Sequence, residues 1–402
     1  MLEGFVSLPW WGYVLLTLAL THCTTIAVTL YLHRCQAHCA LELHPVAAHL
    51  FRFWLWATTG MITKEWVSVH RKHHATTETA DDPHSPHMVG IGTVFWQGSE
   101  LYREEAANPE TLENYGHGTP DDWIERNLYS RFTFLGVIVI LIVNLTLFGT
   151  AGILIWAVQM LWIPVTAAGV VNGFGHFWGY RNFETPDGST NVVNIGVLIG
   201  GEELHNNHHA YPGSAKFSSK KWEIDTGWLY IQLLSFLRLA QVRRRAPQPV
   251  RVENKDKIDL ETAKAIISSK LHVMADYAKH VTLPTFRDEW PGTDIRRKKL
   301  TRPMRTALVR ENTRLKPSHR KHLQELLQNS ETLHTVYEYR SKLQQLWSET
   351  YASHERLIQA ITQWCKEAEA TGILGLQIFA QNLRGYALQP VRSACRRNTR
   401  AL

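Results

Sequence analysis

The chain has 402 residues, 45% hydrophobic and 20% charged, with a formal net charge of +7. On average that composition is ordinary for a soluble protein of one or two domains. The five cysteines (Cys23, Cys35, Cys39, Cys365, Cys395) contain no Cys-x-x-Cys pair and exclude a disulfide framework. The average hides a split. Up to about Trp178 the sequence is apolar and aromatic, and beyond about Arg243 it is charged. This predicts a membrane-embedded part over residues 1–242 and a soluble, basic, mostly helical region over 243–402. The clusters Arg243-Arg244-Arg245 and Arg296-Arg297-Lys298-Lys299 read as cytoplasmic topology and lipid-contact residues. A nucleic-acid partner is not expected.

Trp11–Leu32 is long and apolar enough to cross a bilayer. No Lys or Arg precedes it, which argues against a signal peptide. His44–Thr63 is apolar and aromatic but carries His49 and Arg52 at i, i+3. Charge inside a span is costly, so this stretch predicts an interfacial helix with the polar stripe turned to water. Phe132–Phe148 and Ala151–Val171, joined by Gly149-Thr150, predict two further spans in a tight hairpin. Beyond Arg243, the stretches Leu260–Lys270, Arg320–Leu327 and His354–Glu369 have helical spacing of apolar residues. No motif assigns this region a role. The expected fold class is all-α, an integral membrane helical domain followed by a soluble helical region.

Nine of the 21 histidines fall in four clusters: His33 and His38; His70, His73 and His74; His176; and His205, His208 and His209. Positions i, i+3 and i+4 share a helical face, so each His-x-x-His-His predicts three imidazoles presented together. Asn172 and His176, at i, i+4, predict a shared face. His33 and His38, at i, i+5, suit a helix end that unwinds. Nine neutral imidazoles exceed what one ion takes and suit two ions, without naming the metal. Clusters meeting at one centre must lie on one side of the membrane. An even number of crossings then separates them, and the basic C-terminal region shares that side. Glu202-x-x-His205 and Glu331-x-x-His334 have the spacing of carboxylate di-iron bundles but lack the further glutamates. Glu202 reads instead as a partner that hydrogen-bonds a ligand imidazole.

The residues Leu32 through His38, Glu65 through His74 with Asp82-Pro83-His84, Asn172 through Tyr180, and Gly201 through Pro212 resemble the membrane stearoyl-CoA-type (delta-9) acyl-CoA desaturases. The bacterial branch, with its His-Arg-Cys-Gln box, is the nearer likeness, which implies a multi-pass protein of the bacterial inner membrane with its site facing the cytoplasm. The resemblance implies two iron ions and O₂-dependent insertion of a cis double bond into a long-chain acyl thioester, acyl-CoA foremost. One iron takes His33, His38, His70, His74 and His209, and the other His73, His176, His205 and His208, with Asn172 reaching the second through a water. These nine histidines are the catalytic set. Trp66 matches a tryptophan lining the bent acyl tunnel. Ala168 stands where the family has a threonine, which leaves the position of the double bond less determined. No His-Pro-Gly-Gly motif of a fused haem domain is present, so a separate electron-transfer protein or reductase is expected. A hydroxylase on the same scaffold and, more remotely, a metal transporter are the competing readings.

Overall fold

A computed structural model describes residues 3–253, 255–289, 301–310, 315, 317–349, 351 and 353–388. The basic run Arg296–Lys299 and Cys395 lie outside the described residues. The chain divides into two compact units, Met1–Ala246 and Pro247–Leu402. Arg243 to Ala246 belong to the first: the Arg243 and Arg244 amides donate to Ala40 O, and the Ala246 amide to Ser214 Oγ.

The first unit is built on helices. Helix α1 (Trp10–Ala27) runs on as a wide π-helix over Val28–Ala37, so the first apolar helix extends five residues past the expected Leu32. Helix α2 (Pro45–Thr59) ends on Gly60, which takes a positive φ of 65°, and α3 (Thr63–Thr76) starts three residues later. His44–Thr63 is therefore one helix and a break. Arg52 is not turned to water. Its guanidinium pairs with Asp122 (2.6 Å) and Glu125 (2.8 Å), and its side chain is 9% exposed. A charge among apolar neighbours is tolerated when it is paired, which the spacing alone did not reveal.

Helices α4 (Ile91–Ala106) and α5 (Pro109–Tyr115) precede a hairpin of α6 (Thr133–Phe148) and α7 (Thr150–Ile163). The hairpin depends on glycine. Gly149 sits at φ 60°, and a Cβ on Gly152 would lie 2.0 Å from Asn144 O. Across this contact Asn144 Nδ2 donates to Gln159 Oε1 (3.2 Å), satisfying two buried amides. At Pro164 the third apolar helix widens into a π-helix to Gly173 and then a 3₁₀ turn to His176. Asn172 and His176 therefore do not share one regular α-helical face. Trp10–Ala37 and Thr150–His176 are long and apolar enough to cross a membrane, while Thr133–Phe148 is shorter. Leu154 (70% exposed) and Leu161 (62%) on α7 face outward.

Arg34 anchors the unit's interior. It is fully buried, pairs with Asp225 (2.9 Å), donates to Gly200 O and Ala215 O, and stacks on Phe217 at 3.8 Å. Asp225 also caps α9 (Thr226–Phe236) at the Trp228 amide. The strands are marginal: β1 (Leu41–Leu43) pairs antiparallel with β4 (Ala240–Val242), and β2 (Ile195–Gly196) parallel with β3 (Ile224–Asp225).

The second unit is helical, with helices over Leu260–Ser268, Lys270–Tyr277, Pro317–Gln328, Glu331–Ser348, His354–Ala370 and Leu374–Arg384 among others. Val273, Tyr277, Val336, Leu343, Ile361, Trp364 and Phe379 form its core. Strands β5 (Pro249–Arg251) and β6 (Tyr386–Leu388) pair antiparallel.

Candidate metal centre

Helix α3 carries His70, His73 and His74, and the short α8 (His205–Ala210) carries His205, His208 and His209. With the π-helical end of α1 and the turn at His176, they gather nine imidazoles into two groups. His33, His38, His70, His74 and His208 form the first, and His73, His176, His205 and His209 the second. Within each group the donor nitrogens lie within 4.8 Å of one another.

The π-helix explains how His33 and His38 meet. Its hydrogen bonds run i to i+5, and the His38 amide donates to His33 O (3.1 Å). Residues five apart then return to one side, and the two rings lie 4.9 Å apart. Sequence spacing suggested an unwinding helix end; the helix instead widens.

Each His-x-x-His-His is divided rather than presented as one set. His70 and His74 enter the first group and His73 the second, whereas His205 and His209 enter the second and His208 the first. The cause is angular. Residues i and i+4 are roughly 40° apart around an α-helix, while adjacent residues are roughly 100° apart. A helix lodged between two centres therefore sends its i, i+4 pair one way and the third histidine the other. His208 and His209 thus stand exchanged from the allotment that the family resemblance implied.

Carboxylates orient the rings. His33 Nδ1 lies 2.7 Å from Glu202, His73 Nδ1 2.9 Å from Asp82, and His209 Nδ1 2.9 Å from Asp187. Glu202 also accepts from Thr29 Oγ1. A carboxylate at Nδ1 keeps the proton there and leaves the Nε2 lone pair free. Burial works against ionisation of Asp187, yet His209, His176 and Ser189 hold its carboxyl well below the usual range. Burial, with the neighbouring rings, holds His70, His74, His205 and His208 well below the usual imidazole range, so they are neutral.

The donor set fits metal ions. His33 Nε2 faces His208 Nε2 at 3.0 Å, and His73 Nε2 faces His176 Nε2 at 3.2 Å. In each pair the carboxylate-held ring has its proton on Nδ1, so a lone pair is turned towards the partner. His209 Nε2 is buried with no hydrogen-bond partner. Converging lone pairs repel unless a cation lies between them. Ligands each about 2.1 Å from one ion lie about 3.0 to 3.4 Å apart, and both separations fall in that range.

A cavity of about 550 Å³ borders both groups. Val28, Met61, Trp66, Ile163 and Val171 supply its apolar walls, and His33, His70, Asn172 and His205 line it beside them. Trp66 stacks on His70 with ring centroids 4.9 Å apart. Ala168 also lines this space.

Residues 8–219 match the family model described as fatty acid desaturase. The chain belongs to the fatty acid desaturase family. It is an enzyme, an oxidoreductase of lipid metabolism. An acyl-CoA 5-desaturase of Anemone leveillei is 35% identical over 225 residues, covering 54% of this chain and 67% of the relative. The delta-9 acyl-lipid desaturase 1 of Arabidopsis thaliana is 29% identical over 219 residues, covering 54% and 70%. An sn-1 stearoyl-lipid 9-desaturase of Anabaena variabilis is 30% identical over 178 residues, covering 44% and 63%. In the second unit, residues 259–399 match a family model described as transposase. Among the described residues, the groups of His, Cys, Asp and Glu spaced to hold a metal all lie in the first unit.

Sequence reasoning on this desaturase missed Asp82 and Asp187 as ring-orienting residues. Asp82 sits in the quoted Asp82-Pro83-His84, nine residues from its histidine; Asp187 is 22 residues from His209 with no periodicity to mark it. Arg71 and Lys72, within the second histidine cluster, are engaged internally. Arg71 donates to the carbonyls of Gln36, Ala37, Tyr115 and His117, and Lys72 pairs with Glu105 (2.8 Å). Asp187→Ala is expected to weaken metal retention about 10–100-fold, the usual effect of losing an outer partner of a ligand histidine. Metal per chain against rising chelator measures it, and unchanged retention would show that His209 needs no carboxylate.

Proposed function

We propose that this desaturase uses two irons and O₂ to introduce a cis double bond, at the ninth–tenth position, into a long-chain saturated acyl thioester, with acyl-CoA foremost. The reading is supported chiefly by the five and four imidazoles that converge beside one apolar cavity. The first iron would be held by His33, His38, His70, His74 and His208. The second would be held by His73, His176, His205 and His209, with Asn172 reaching it through a water. Iron suits the purpose because imidazole binds it well and O₂ chemistry needs a redox metal. When bound, the two irons supply the oxidant that takes two hydrogens from an unactivated CH₂–CH₂ pair as O₂ goes to water.

The chain's own residues do the rest. Val28, Met61, Ile163 and Val171 exclude water and hold the acyl chain against the histidines. Trp66 sets where the chain turns, because a hydrophobic tunnel discriminates weakly per methylene and position follows from depth and bend. Glu202, Asp82 and Asp187 keep the protons of His33, His73 and His209 on Nδ1, so that the Nε2 of each remains free to be a ligand. Electrons come from a separate donor protein. We place Trp10–Ala37, Thr133–Phe148 and Thr150–His176 across the bacterial inner membrane. Thr133–Phe148 is about 24 Å long by helical rise, short enough to need flanking residues to reach the interface. The histidine groups and Arg243-Arg244-Arg245 then face the cytoplasm.

The relatives are named for both acyl-CoA and acyl-lipid substrates, so the assay runs both. Iron-loaded protein with reductant and O₂ is given stearoyl-CoA, the matching acyl-carrier protein and a diacyl phospholipid in parallel. The expected product is the cis-9 monounsaturated chain from the CoA thioester. A hydroxy acid as main product would favour the hydroxylase, and conversion of phospholipid alone would assign a lipid-linked substrate. Activity in a zinc-only, iron-free preparation would overturn the iron assignment.

A further inference from the structure

Among the described residues, His84 is the one buried histidine bordering the cavity that belongs to neither group of the nine histidines, and with His73 and Asp82 it forms a third set whose donor atoms lie within 4.8 Å of one another. Its position is tightly set. Asp82 accepts from the Glu78 amide through Oδ2 (2.7 Å) and from the His84 amide through Oδ1 (3.2 Å), fixing the turn that carries the ring. The ring lies stacked on His73, with centroids 4.4 Å apart and planes 25° apart. It is 6% exposed, and its Nε2 has no hydrogen-bond partner. A buried polar atom without a partner is costly, and native proteins seldom keep one unless something outside the polypeptide completes it. The cavity is where that completion would come from, since His84 lines it together with His205 and Asn172.

We propose that His84 is a positioning residue whose Nε2 hydrogen-bonds a water-sized oxygen ligand in the cavity beside the second histidine group. The inference rests on the reading that the two groups hold iron. Asp82 then has two tasks from one carboxylate: it orients His73 through Nδ1, and through the His84 amide it sets the ring that touches the oxygen ligand. A small oxygen ligand in an apolar cavity has few donors to hold it, so its placement relative to the acyl chain falls to this ring. When the ligand is misplaced, O₂ is reduced with electrons from the external reductant and protons from solvent alone, and the chain keeps its hydrogens.

The test uses full-length, iron-loaded protein with stearoyl-CoA. Iron per chain is measured alongside the ratio of O₂ consumed to double bond formed. His84→Phe keeps the ring face on His73 and removes both nitrogens, and His84→Gln restores a polar end. The expected result is that His84→Phe retains its iron while the ratio rises about tenfold, the factor one ordinary hydrogen bond carries in a partition between outcomes. His84→Gln should recover much of that loss. An unchanged ratio in His84→Phe overturns the proposal. Loss of iron from His84→Phe also overturns it, by assigning the ring to metal retention. A His84→Gln variant as uncoupled as His84→Phe overturns it too, by leaving only packing. If the unsubstituted protein forms no double bond from any acyl carrier, the parent reading fails, which is a separate outcome.

Discussion

His208→Ala should abolish desaturation while leaving the first unit folded. His208 is the only residue of α8 in the first group, where its Nε2 lies 3.0 Å from His33 and 2.9 Å from His74. Removing it opens a gap between two lone pairs and withdraws one of five nitrogens. The expected loss is at least 1,000-fold in turnover, because a group that acts as one unit fails as one unit. His117→Ala supplies the contrast: His117 stands outside both groups, and its variant should remain near full activity. Both are read by gas chromatography of the fatty acids, with helicity followed by circular dichroism. Normal turnover in His208→Ala would remove His208 from the catalytic set.

The largest expected effect on stability lies at Asp225. Asp225→Ala leaves the Arg34 guanidinium buried and unpaired, and it also strips acceptors from the Phe217 and Trp228 amides. Breaking one side of a buried pair costs about 3–5 kcal/mol. Replacing both partners with apolar residues of similar volume, as in Arg34→Met with Asp225→Leu, should cost less. The unfolding midpoints of the two variants in the same detergent decide it. A single variant no worse than the double would show that the pair contributes little.

Much of the site was legible in the sequence because histidine spacing is a strong signal and the apolar runs are long. The nine histidines and the reading of Glu202 as a ring partner follow from spacing along the chain, while Trp66 was singled out by the family resemblance. What was hidden has physical reasons. The π-helix over Val28–Ala37 depends on packing and has no residue signature, so i, i+5 looked like an unwinding end. Spacing alone does not show that each His-x-x-His-His is partitioned between two groups, because a sequence cannot show on which sides a helix has neighbours; the family resemblance supplied the partition except for the exchange of His208 and His209. Arg52 read as a water-facing charge because Asp122 and Glu125 are far along the chain. The carboxylates Asp82 and Asp187 act across turns, where no periodicity exists.

The division of α3 and α8 between the two groups has a bearing on what natural variation can reach. Loops usually set the distance between neighbouring centres, and loops tolerate insertion and deletion. Here the spacing is written instead into the rise and angular step of two α-helices, about 1.5 Å and about 100° per residue. Each centre draws only part of its ligands from elements of its own, His33 and His38 for the first and His176 for the second. A single inserted residue between His70 and His73 would rotate His73 and His74 together, removing a donor from each centre at once.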